Sequence, residues 1–457
     1  MDRNTLTRRA FLACATTTAV VTAFRVNAAQ VVPRKLSPNE KLRVAGIGAG
    51  GKGLEDVMSC ARDRKRVDIV ALADPDWKRC EEAFYRLKDA KQYKDYRKML
   101  EEMGDQIDAC TVSTPDHTHA PAAYMAMKMG KHVYVQKPLT HTIAEARLLR
   151  QVAAETGVIT MMGNQGHCGD GVRDLCEMIW SGAIGKVREA HIWTNRPVWP
   201  QGIADPLPEE PVPETMDWEL WIGAAPFRPY NSKYAPFNWR GWWDFGCGAI
   251  GDMACHIMDP ANWALGLSRA ESFTVEVVTQ EGMTSQTYPL KSTIKFSFPA
   301  RQTDGGAMEP VTVYWYDGGL KPPRPEGVPE GEKLGDGDNG SLFIGTDGIA
   351  TAGEYGGDAR LLPASRMKDY TPPPQTLERI PRGNPYLHWI DCIYAGRKAV
   401  SDFSYAGPLT EMANFGNIAL KAGEPVSYDC VNGKITSNEA LNKLLTKEYR
   451  KGWELPC

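Results

Sequence analysis

The chain has 457 residues, a formal net charge of −3, 42% hydrophobic residues and 24% charged residues. This length is enough for two domains with a large hydrophobic core, and the nearly balanced charge gives no electrostatic argument for a nucleic-acid partner. The eleven cysteines form no Cys-x-x-Cys pair, which argues against a zinc ribbon or a dense disulfide framework.

Residues 1–30 are predicted to be an export signal rather than part of a folded domain. The pair Arg8-Arg9 precedes a modestly apolar segment, Ala13 to Phe24, and small residues near Ala28 suit a signal peptidase. This arrangement resembles a twin-arginine signal and predicts a periplasmic protein; a frayed N-terminal helix is the alternative. Beyond this segment no apolar run approaches the length of a membrane span, so no membrane contact is expected after signal removal.

A glycine-rich loop follows the first predicted strand, Leu42 to Ile47. Gly48, Gly50 and Gly53 have the spacing G-x-G-x-x-G, and a helical pattern begins directly afterwards. In such a loop one glycine permits the turn, another lets a pyrophosphate approach the backbone, and the third allows close packing of helix and strand. The helix N-terminus offers free N–H groups and a positive dipole end to the phosphates.

A second predicted strand, 67–73, ends in Asp74. A carboxylate about 20 residues after the glycine loop is placed to bind a ribose 2′-hydroxyl. Strand, loop, helix, strand and acid together predict a dinucleotide site. Asp74 would repel a 2′-phosphate, which favours NAD over NADP, although Lys78 and Arg79 lie close by.

The region 40–163 continues to alternate between helix and strand. This alternation predicts a Rossmann domain with a doubly wound parallel sheet whose ligand site lies at the carboxyl ends of the strands. The further predicted helices are 77–87, 95–103, 120–129 and 142–155, and the further predicted strands are 107–113, 132–135 and 158–162.

Residues 164–457 have a different pattern and are predicted to form an α+β domain with a largely antiparallel sheet. A proline-rich loop at 197–216 and surface loops at 317–340 and 371–385 interrupt it. The predicted strands are 187–193, 272–279, 292–298, 311–316 and 341–344, and the predicted helices are 171–181, 385–395 and 407–422.

Lys137, Asp252 and His256 are the candidates for acid–base chemistry. Lys137 follows a strand at the ligand-facing edge of the sheet, where an ammonium group can stabilise an alkoxide as hydride leaves. Asp252 and His256 lie four residues apart in a mostly apolar helical segment and share a face. Histidine titrates near neutrality, so it suits proton abstraction from an alcohol. A structural Asp–His pair and a metal site are alternatives, but no third metal ligand is evident.

The aromatic segment 237–245 runs directly into this helix. Aromatic faces can stack on the C–H faces of sugar rings, and charged side chains can bind the hydroxyls. The alternative is a hydrophobic core at a domain interface. The predicted substrate-binding residues are His167, Arg240, Trp242, Trp243, Asp252 and His256.

Together these motifs resemble the Gfo/Idh/MocA family, named for glucose–fructose oxidoreductase, inositol dehydrogenase and a rhizopine-catabolism protein. The resemblance rests on the glycine loop, Pro115-x-x-x-His119, Lys137-Pro138 and Asp252-x-x-x-His256. It implies an N-terminal Rossmann domain and a C-terminal domain with a large, mostly antiparallel open sheet that commonly forms the subunit interface, hence a homodimer or homotetramer. It also implies catalytic positions for Lys137, Asp252 and His256. Segments 194–200 and 239–245 look like the exported bacterial branch of the family.

The expected cofactor is tightly bound NAD. By resemblance, His119 and Gln136 line the nicotinamide side. The usual family tripeptide is Glu-Lys-Pro, whereas this chain has Gln136-Lys137-Pro138, which removes a negative charge beside Lys137. The full predicted cofactor set is Gly48, Gly50, Gly51, Gly53, Asp74, Thr114, His119, Gln136, Lys137 and Asn164.

The leading hypothesis is an NAD-dependent oxidoreductase of a sugar, glycoside or cyclitol hydroxyl, in which His256 takes the proton, Lys137 stabilises the oxygen and Asp252 orients His256. A second hypothesis is a redox-neutral glycosidase or lyase that acts through a transient keto-sugar. The exported NAD-dependent α-N-acetylgalactosaminidases work this way, but their motif has a Tyr shortly before the catalytic His, where this chain has Met253. A non-catalytic sugar sensor is a third hypothesis, although a sensor needs no proton acceptor.

Overall fold

The computed structural model describes residues 32–457, so the predicted signal at 1–30 lies outside the described residues. The first domain alternates strictly between strand and helix until the edge strand of its sheet. Its elements are β1 (Leu42–Ile47), α1 (Lys52–Ala61), β2 (Val67–Ala73), α2 (Glu81–Arg86), β3 (Lys91–Tyr93), α3 (Tyr96–Met103), β4 (Ala109–Val112), α4 (Asp116–Lys128), β5 (His132–Val135), α5 (Ile143–Thr156) and β6 (Thr160–Met162).

These strands form a parallel sheet in the order β3-β2-β1-β4-β5-β6. The direction of winding changes between β1 and β4, which is where doubly wound sheets bind ligands. Both faces of the sheet are buried. Ala45 and Val133 belong to the core on the side of α3, α4 and α5, while Val44 and Tyr134 face the opposite side. The predicted doubly wound fold is confirmed.

Several element boundaries differ from the sequence prediction. The helix expected from residue 77 begins only at Glu81, because Pro75 and Trp77 form backbone hydrogen bonds to Asp217 and Thr215 of the proline-rich loop. The short edge strand β3 was not predicted; its three residues are too few to show a pattern. The helix expected at 120–129 starts four residues earlier, at Asp116.

The second domain begins with helix and strand, and two long helices near its end are followed by two short strands. Its helices are α6 (Asp170–Trp180), α7 (Trp218–Ile222), α8 (Gly248–Ile257), α9 (Asp259–Leu265), α10 (Pro385–Ala395) and α11 (Phe403–Ala422). Its strands are β7 (Val187–Trp193), β8 (Ser272–Glu281), β9 (Lys291–Phe298), β10 (Arg301–Thr303), β11 (Gly306–Met308), β12 (Val311–Tyr316), β13 (Gly340–Gly345), β14 (Ile349–Ala352), β15 (Arg360–Leu362), β16 (Val426–Asp429) and β17 (Lys434–Ile435).

Nine of these strands form one sheet in the order β15-β14-β13-β7-β12-β9-β8-β16-β17, while β10 and β11 pair separately. Only β7 and β12 are parallel, which confirms the predicted, mostly antiparallel sheet. One face is apolar, with Phe296 and Trp315 fully buried in the core that includes α8 and α11. The other face carries polar and partly exposed side chains such as Glu276, Lys295 and Tyr314.

Helix α10 belongs to the second domain by sequence but packs on the first. Trp389 and Ile390 are fully buried and join the core formed by Leu42, Val44 and Tyr134. The helix lies beside α1 and covers the sheet face that the crossover helices α3, α4 and α5 leave open. The boundary predicted at 163/164 therefore divides the two sequence patterns, but α10, which follows it, packs against the first domain.

Three global features bear on function. Within residues 32–457, no helix combines the length and apolarity needed to cross a membrane. No cluster of three or more His, Cys, Asp or Glu side chains suited to a metal ion occurs in the same residues. The ten cysteines of the described part of the chain are free, and eight of them are buried.

Candidate active site

A cavity of about 460 Å³ opens at the carboxyl ends of β1, β2, β4 and β5, between the two domains. The glycine loop and Asp74 line one part of it, and α8 lines another. This is the crevice in which a doubly wound sheet binds its ligand. The cavity therefore joins the predicted nucleotide site to the predicted catalytic residues.

The glycine loop has the close backbone packing that a pyrophosphate site needs. Gly48 has φ of +80°, and a Cβ there would lie 2.7 Å from the carbonyl carbon of Ser113. A Cβ on Gly53 would overlap the carbonyl oxygen of Gly48. Gly51, the residue before α1, provides no side-chain cap for the helix N-terminus. The loop and the uncapped helix fit the phosphates of a dinucleotide. Gly48 and Gly50 line the cavity, whereas Gly51 and Gly53 do not.

Asp74 and Arg79 lie together beside the loop. The Asp74 carboxylate accepts hydrogen bonds from the backbone N–H groups of Ala49 (2.8 Å) and Asp76 (2.9 Å). Burial raises the pKa of Asp74 above its usual value, despite these hydrogen bonds. The Arg79 side chain crosses Gly50 and Gly51 so closely that a Cβ on either would overlap it. A carboxylate for a 2′-hydroxyl and a guanidinium therefore occupy the same corner of the cavity.

Gln136 contacts a buried carboxylate that the sequence analysis missed. Its Nε2 donates to Asp56 Oδ2 (2.8 Å), and Ser113 Oγ donates to the same oxygen (2.6 Å). Tyr386 of α10 donates to Asp56 Oδ1 (2.6 Å), and Lys52 Nζ lies 3.3 Å from it. Asp56 is fully buried on α1 and its pKa is raised by that burial. A buried carboxyl group thus lies next to Gln136, on the neighbouring helix α1.

Lys137 is held by Asp252. Its Nζ donates to Asp252 Oδ1 (2.7 Å) and to the backbone oxygen of the same residue (3.0 Å). Arg240 Nε donates to Asp252 Oδ1 as well (3.1 Å). Burial alone would raise the pKa of Asp252, but Lys137 and Arg240 bring it below the ordinary value. The structure therefore unites the three predicted residues Lys137, Arg240 and Asp252 in one charged cluster.

His256 lies on the cavity side of α8 and is 5% exposed. Burial, followed by the charge of Lys137, lowers its pKa to about 3. Its Nδ1 has no hydrogen-bond partner within the described structure. Asp252 was expected to orient His256 through a shared helix face; instead its carboxylate bonds to Lys137 and Arg240. Tyr355 packs edge-on against the imidazole, with ring centroids 4.9 Å apart.

In the aromatic segment, Phe237 and Trp239 line the cavity and contact Arg240. The Arg240 guanidinium lies 4.3 Å from the ring centroid of Trp239 and 4.6 Å from that of Phe237. Trp242, predicted to bind substrate, is 1% exposed and belongs to an aromatic core cluster. Trp243, predicted likewise, packs on Tyr288 outside the cavity. The pattern alone did not reveal which side chains of the segment face the cavity.

His119 and Thr114 line the cavity, as expected for cofactor-binding residues. His119 Nδ1 lies 2.8 Å from the oxygen of Pro138, and its Nε2 lies 2.9 Å from the oxygen of Thr114. Burial lowers its pKa to about 4, and a neutral imidazole donates to only one of these two oxygens. The ring lies between the loop after β4 and the turn that carries Lys137.

Asn164 and His167 lie outside the cavity, contrary to the sequence prediction. Both bond to Asp259 of α9, at 3.3 Å and 2.9 Å respectively. The His167 ring also stacks on Trp263 at 4.4 Å. The short 3₁₀ turn Gln165–Cys168 directs these side chains into the interior, where a buried polar group needs partners.

The residues that line the cavity without having been predicted as site residues include Arg196, Glu354 and Tyr355. Arg196 follows β7, and the other two belong to a short turn after β14. Tyr355 has φ of +62°, which is rare for a residue with a side chain. Their shared position was not evident from the sequence, because long-range pairing of β7 with β13 brings these segments together.

Family models match two parts of the chain. Residues 42–164 match the Gfo/Idh/MocA oxidoreductase family, NAD-binding Rossmann fold, and residues 182–298 match its C-terminal alpha/beta domain. Scyllo-inositol 2-dehydrogenase (NAD(+)) of Bacillus subtilis is 30% identical over 32% of this chain and 42% of its own length. Alpha-N-acetylgalactosaminidase of Shewanella oneidensis is 29% identical over 39% of this chain and 44% of its own length. The chain thus spans less than half the length of these relatives.

The overall fold is also similar to solved structures. The WlbA dehydrogenase of Bordetella pertussis, solved in complex with NADH and UDP-GlcNAcA, superposes with a TM-score of 0.56. The superposition covers 84% of this chain and 98% of that one, at 16% sequence identity. At this identity the comparison supports the two-domain architecture only.

Proposed function

Since the chain belongs to the Gfo/Idh/MocA oxidoreductase family, with an NAD-binding Rossmann domain, we propose that it is an NAD-dependent dehydrogenase of a carbohydrate or cyclitol hydroxyl. One observation carries the proposal: Lys137 and His256 line the same cavity as the glycine loop. The partial similarity to a scyllo-inositol dehydrogenase supports the substrate class.

When bound, NAD supplies the hydride acceptor, and side chains of this protein carry out the proton transfer. His256 is neutral at neutral pH, because burial and Lys137 lower its pKa to about 3. A neutral imidazole can accept the substrate hydroxyl proton. The Lys137 ammonium donates to the same oxygen and stabilises the negative charge that develops there.

Asp252 acts as the anchor of this arrangement. Its carboxylate fixes the Lys137 ammonium at 2.7 Å and the Arg240 guanidinium at 3.1 Å. The charge of Lys137 lowers the pKa of His256, whereas the charge of Asp252 itself raises it. In this proposal Asp252 positions Lys137 directly, and it influences His256 through charge rather than through a hydrogen bond.

The testing experiment uses the full chain purified without added nucleotide. Part of the sample is denatured and the released NAD(H) is quantified; the rest is incubated with NAD and matched sugars, methyl glycosides and inositols. Growth of the reduced-nicotinamide absorbance with at least one polyol supports the dehydrogenase. No reduction and no exchange of hydride between NADH and any keto-sugar would refute it.

A redox-neutral glycosidase is the second candidate, favoured by the partial similarity to an alpha-N-acetylgalactosaminidase. Oxidation of a ring hydroxyl would acidify the adjacent C–H and allow elimination of the aglycone. Water would then add to the resulting double bond, and return of the hydride would restore the hydroxyl. Nitrophenyl glycosides distinguish the candidates. Aglycone release with stoichiometric bound NAD and no net reduction would support the glycosidase over the dehydrogenase.

Export and self-association complete the proposal. The pair Arg8-Arg9 supports export by the twin-arginine route. A variant with Arg8→Lys and Arg9→Lys should remain in the cytoplasmic fraction when cells are fractionated. The polar face of the nine-stranded sheet, with Glu276, Lys295 and Tyr314, is proposed as the interface of a homodimer or homotetramer. Light scattering at the monomer mass would refute the association.

A further inference from the structure

Arg196 is a half-buried arginine in the wall of the cavity and is not used by the proposed chemistry. We infer that it binds an anionic substituent of the substrate, so that the substrate class is an acidic carbohydrate bearing a carboxylate or a phosphate. The inference rests on the proposed function, because it concerns the substrate of the same site. Position 196 lies in segment 194–200, which resembles the exported branch of the family, but the sequence analysis assigned no role to Arg196.

The hydrogen bonds around Arg196 fix its backbone next to the turn that follows β14. The Arg196 N–H donates to Thr194 Oγ1 (3.2 Å), and Thr194 Oγ1 donates to Asn339 Oδ1 (2.7 Å). Asn339 Nδ2 in turn donates to Glu354 Oε2 (2.8 Å). Thus a continuous hydrogen-bonded chain joins Arg196 to the residue beside Tyr355.

That turn places Arg196 on the catalytic side of the cavity. Tyr355 contacts the His256 ring edge-on, with centroids 4.9 Å apart. The positive charge of Arg196 is one of the influences that lower the pKa of His256, and it opposes the rise that burial gives the pKa of Tyr355. The Arg196 backbone is therefore joined by hydrogen bonds to the turn whose Tyr355 contacts His256.

Arg196 differs from the neighbouring Arg240 in its partners. Arg240 is paired with Asp252 at 3.1 Å, but no carboxylate of residues 32–457 lies within 4.0 Å of the Arg196 guanidinium. Its side-chain contact is the neutral amide oxygen of Asn195. Glu354 lines the same wall, but its carboxylate accepts from Asn339 and forms no ion pair with Arg196. A half-buried guanidinium without a counter-ion is suited to an anion that arrives with the ligand.

The planar guanidinium presents paired donors that match a carboxylate or a phosphate. Hydrogen bonds to charged groups contribute more free energy than those between neutral groups. Loss of the hydrogen bonds between Arg196 and an anionic substituent would therefore weaken substrate affinity by about 10- to 100-fold. Arg196→Gln removes the charge at similar size, and Arg196→Lys keeps the charge but not the fork. Arg188→Gln is the matched control, because Arg188 is exposed on β7 and does not line the cavity.

The test is isothermal titration calorimetry of the full chain saturated with NADH, in a buffer free of carboxylate and phosphate. The ligands are three matched sets: the gluco, galacto and manno forms of hexuronate, hexose 6-phosphate and hexose. In at least one set an acidic member should bind about 10-fold or more tightly than the neutral hexose. Arg196→Gln should abolish that preference without changing NADH affinity, Arg196→Lys should retain part of it, and Arg188→Gln should retain all of it.

The other outcomes contradict either the inference about Arg196 or the proposed dehydrogenase, and they distinguish the two. Equal affinities in every set, no binding of any member, or a preference that survives Arg196→Gln would show that Arg196 does not select an anion. Loss of NADH affinity in Arg196→Gln would make Arg196 a cofactor residue. Reduction of NAD by neutral sugars, with no preference of the protein for acidic sugars, would refute this inference but would still support the proposed dehydrogenase. Anion binding that depends on Arg196 without any hydride transfer would refute the dehydrogenase instead.

Discussion

Replacing His256 by alanine should remove most of the turnover while leaving the fold and the NAD affinity nearly unchanged. The imidazole lines the cavity, and its Nδ1 has no hydrogen-bond partner within the described structure, so truncation leaves no buried group newly unpaired. Loss of a general base lowers rates by about 10²- to 10⁴-fold, equivalent to about 3–5 kcal/mol in the activation barrier. The glycine loop, which would hold the pyrophosphate, does not contact His256.

The assay combines steady-state reduction of NAD with a fluorescence titration of NADH. His191→Ala is the matched control, because His191 is 3% exposed compared with 5% for His256, and it does not line the cavity. His191→Ala removes a hydrogen bond to Tyr316 (2.9 Å), so it should lower thermal stability but preserve kcat. A His256→Ala protein whose kcat stays within about threefold of the parent would refute the assignment of His256 as the proton acceptor.

Three further predictions follow from the same geometry. Gly48→Ala should weaken NADH binding and destabilise the fold by about 1–3 kcal/mol, because φ is +80° and the new Cβ would lie 2.7 Å from Ser113. Gly182→Ala is the control, because Gly182 has φ of +82° but no atom within 4 Å of the new Cβ. It should incur only the backbone strain and leave NADH affinity intact. The acid limb of kcat/KM should lie well below pH 6.5, because burial lowers the pKa of His256 to about 3 and the neutral imidazole is the active form; a limb centred near 6.5 in a pH–rate profile would contradict this. Asp74→Ser should increase the affinity for NADP relative to NAD by about tenfold, since it removes a carboxylate and leaves Arg79 over the loop. An unchanged ratio of the two affinities in paired titrations would show that Asp74 does not select the cofactor.

Local sequence pattern was sufficient for the architecture of the first domain, except its edge strand β3, and for naming Lys137, Asp252 and His256 as candidate catalytic residues. The apolar run 42–47, the glycine spacing and Asp74 are contiguous features, and each depends on backbone geometry within a few residues. The spacing of Asp252 and His256 likewise placed both residues on the single helix α8. Lys137 could be placed near the ligand crevice because the carboxyl end of a parallel strand faces that crevice regardless of the rest of the fold.

The partners of these residues depended on the tertiary structure. Sequence spacing suggested that Asp252 orients His256, but Lys137 and Arg240 arrive from other parts of the chain and take its carboxylate. The buried Asp56 beneath Gln136 was not recognised, because Tyr386 and Ser113, which satisfy it, lie far away in sequence. Trp242, Trp243, Asn164 and His167 were assigned to the site from composition, yet long-range packing directs them elsewhere.

By itself, the sequence determined the fold class, the nucleotide-binding loop and the identity of Lys137, Asp252 and His256, because periodicity and spacing act over a few residues. The tertiary structure alone decided which side chains share the cavity. Arg196 and Tyr355 reach it because β7 pairs with β13 and the turn after β14 folds back against α8. Such contacts join segments far apart in the chain, and their geometry is set by the packing of the sheet and helices rather than by any local pattern.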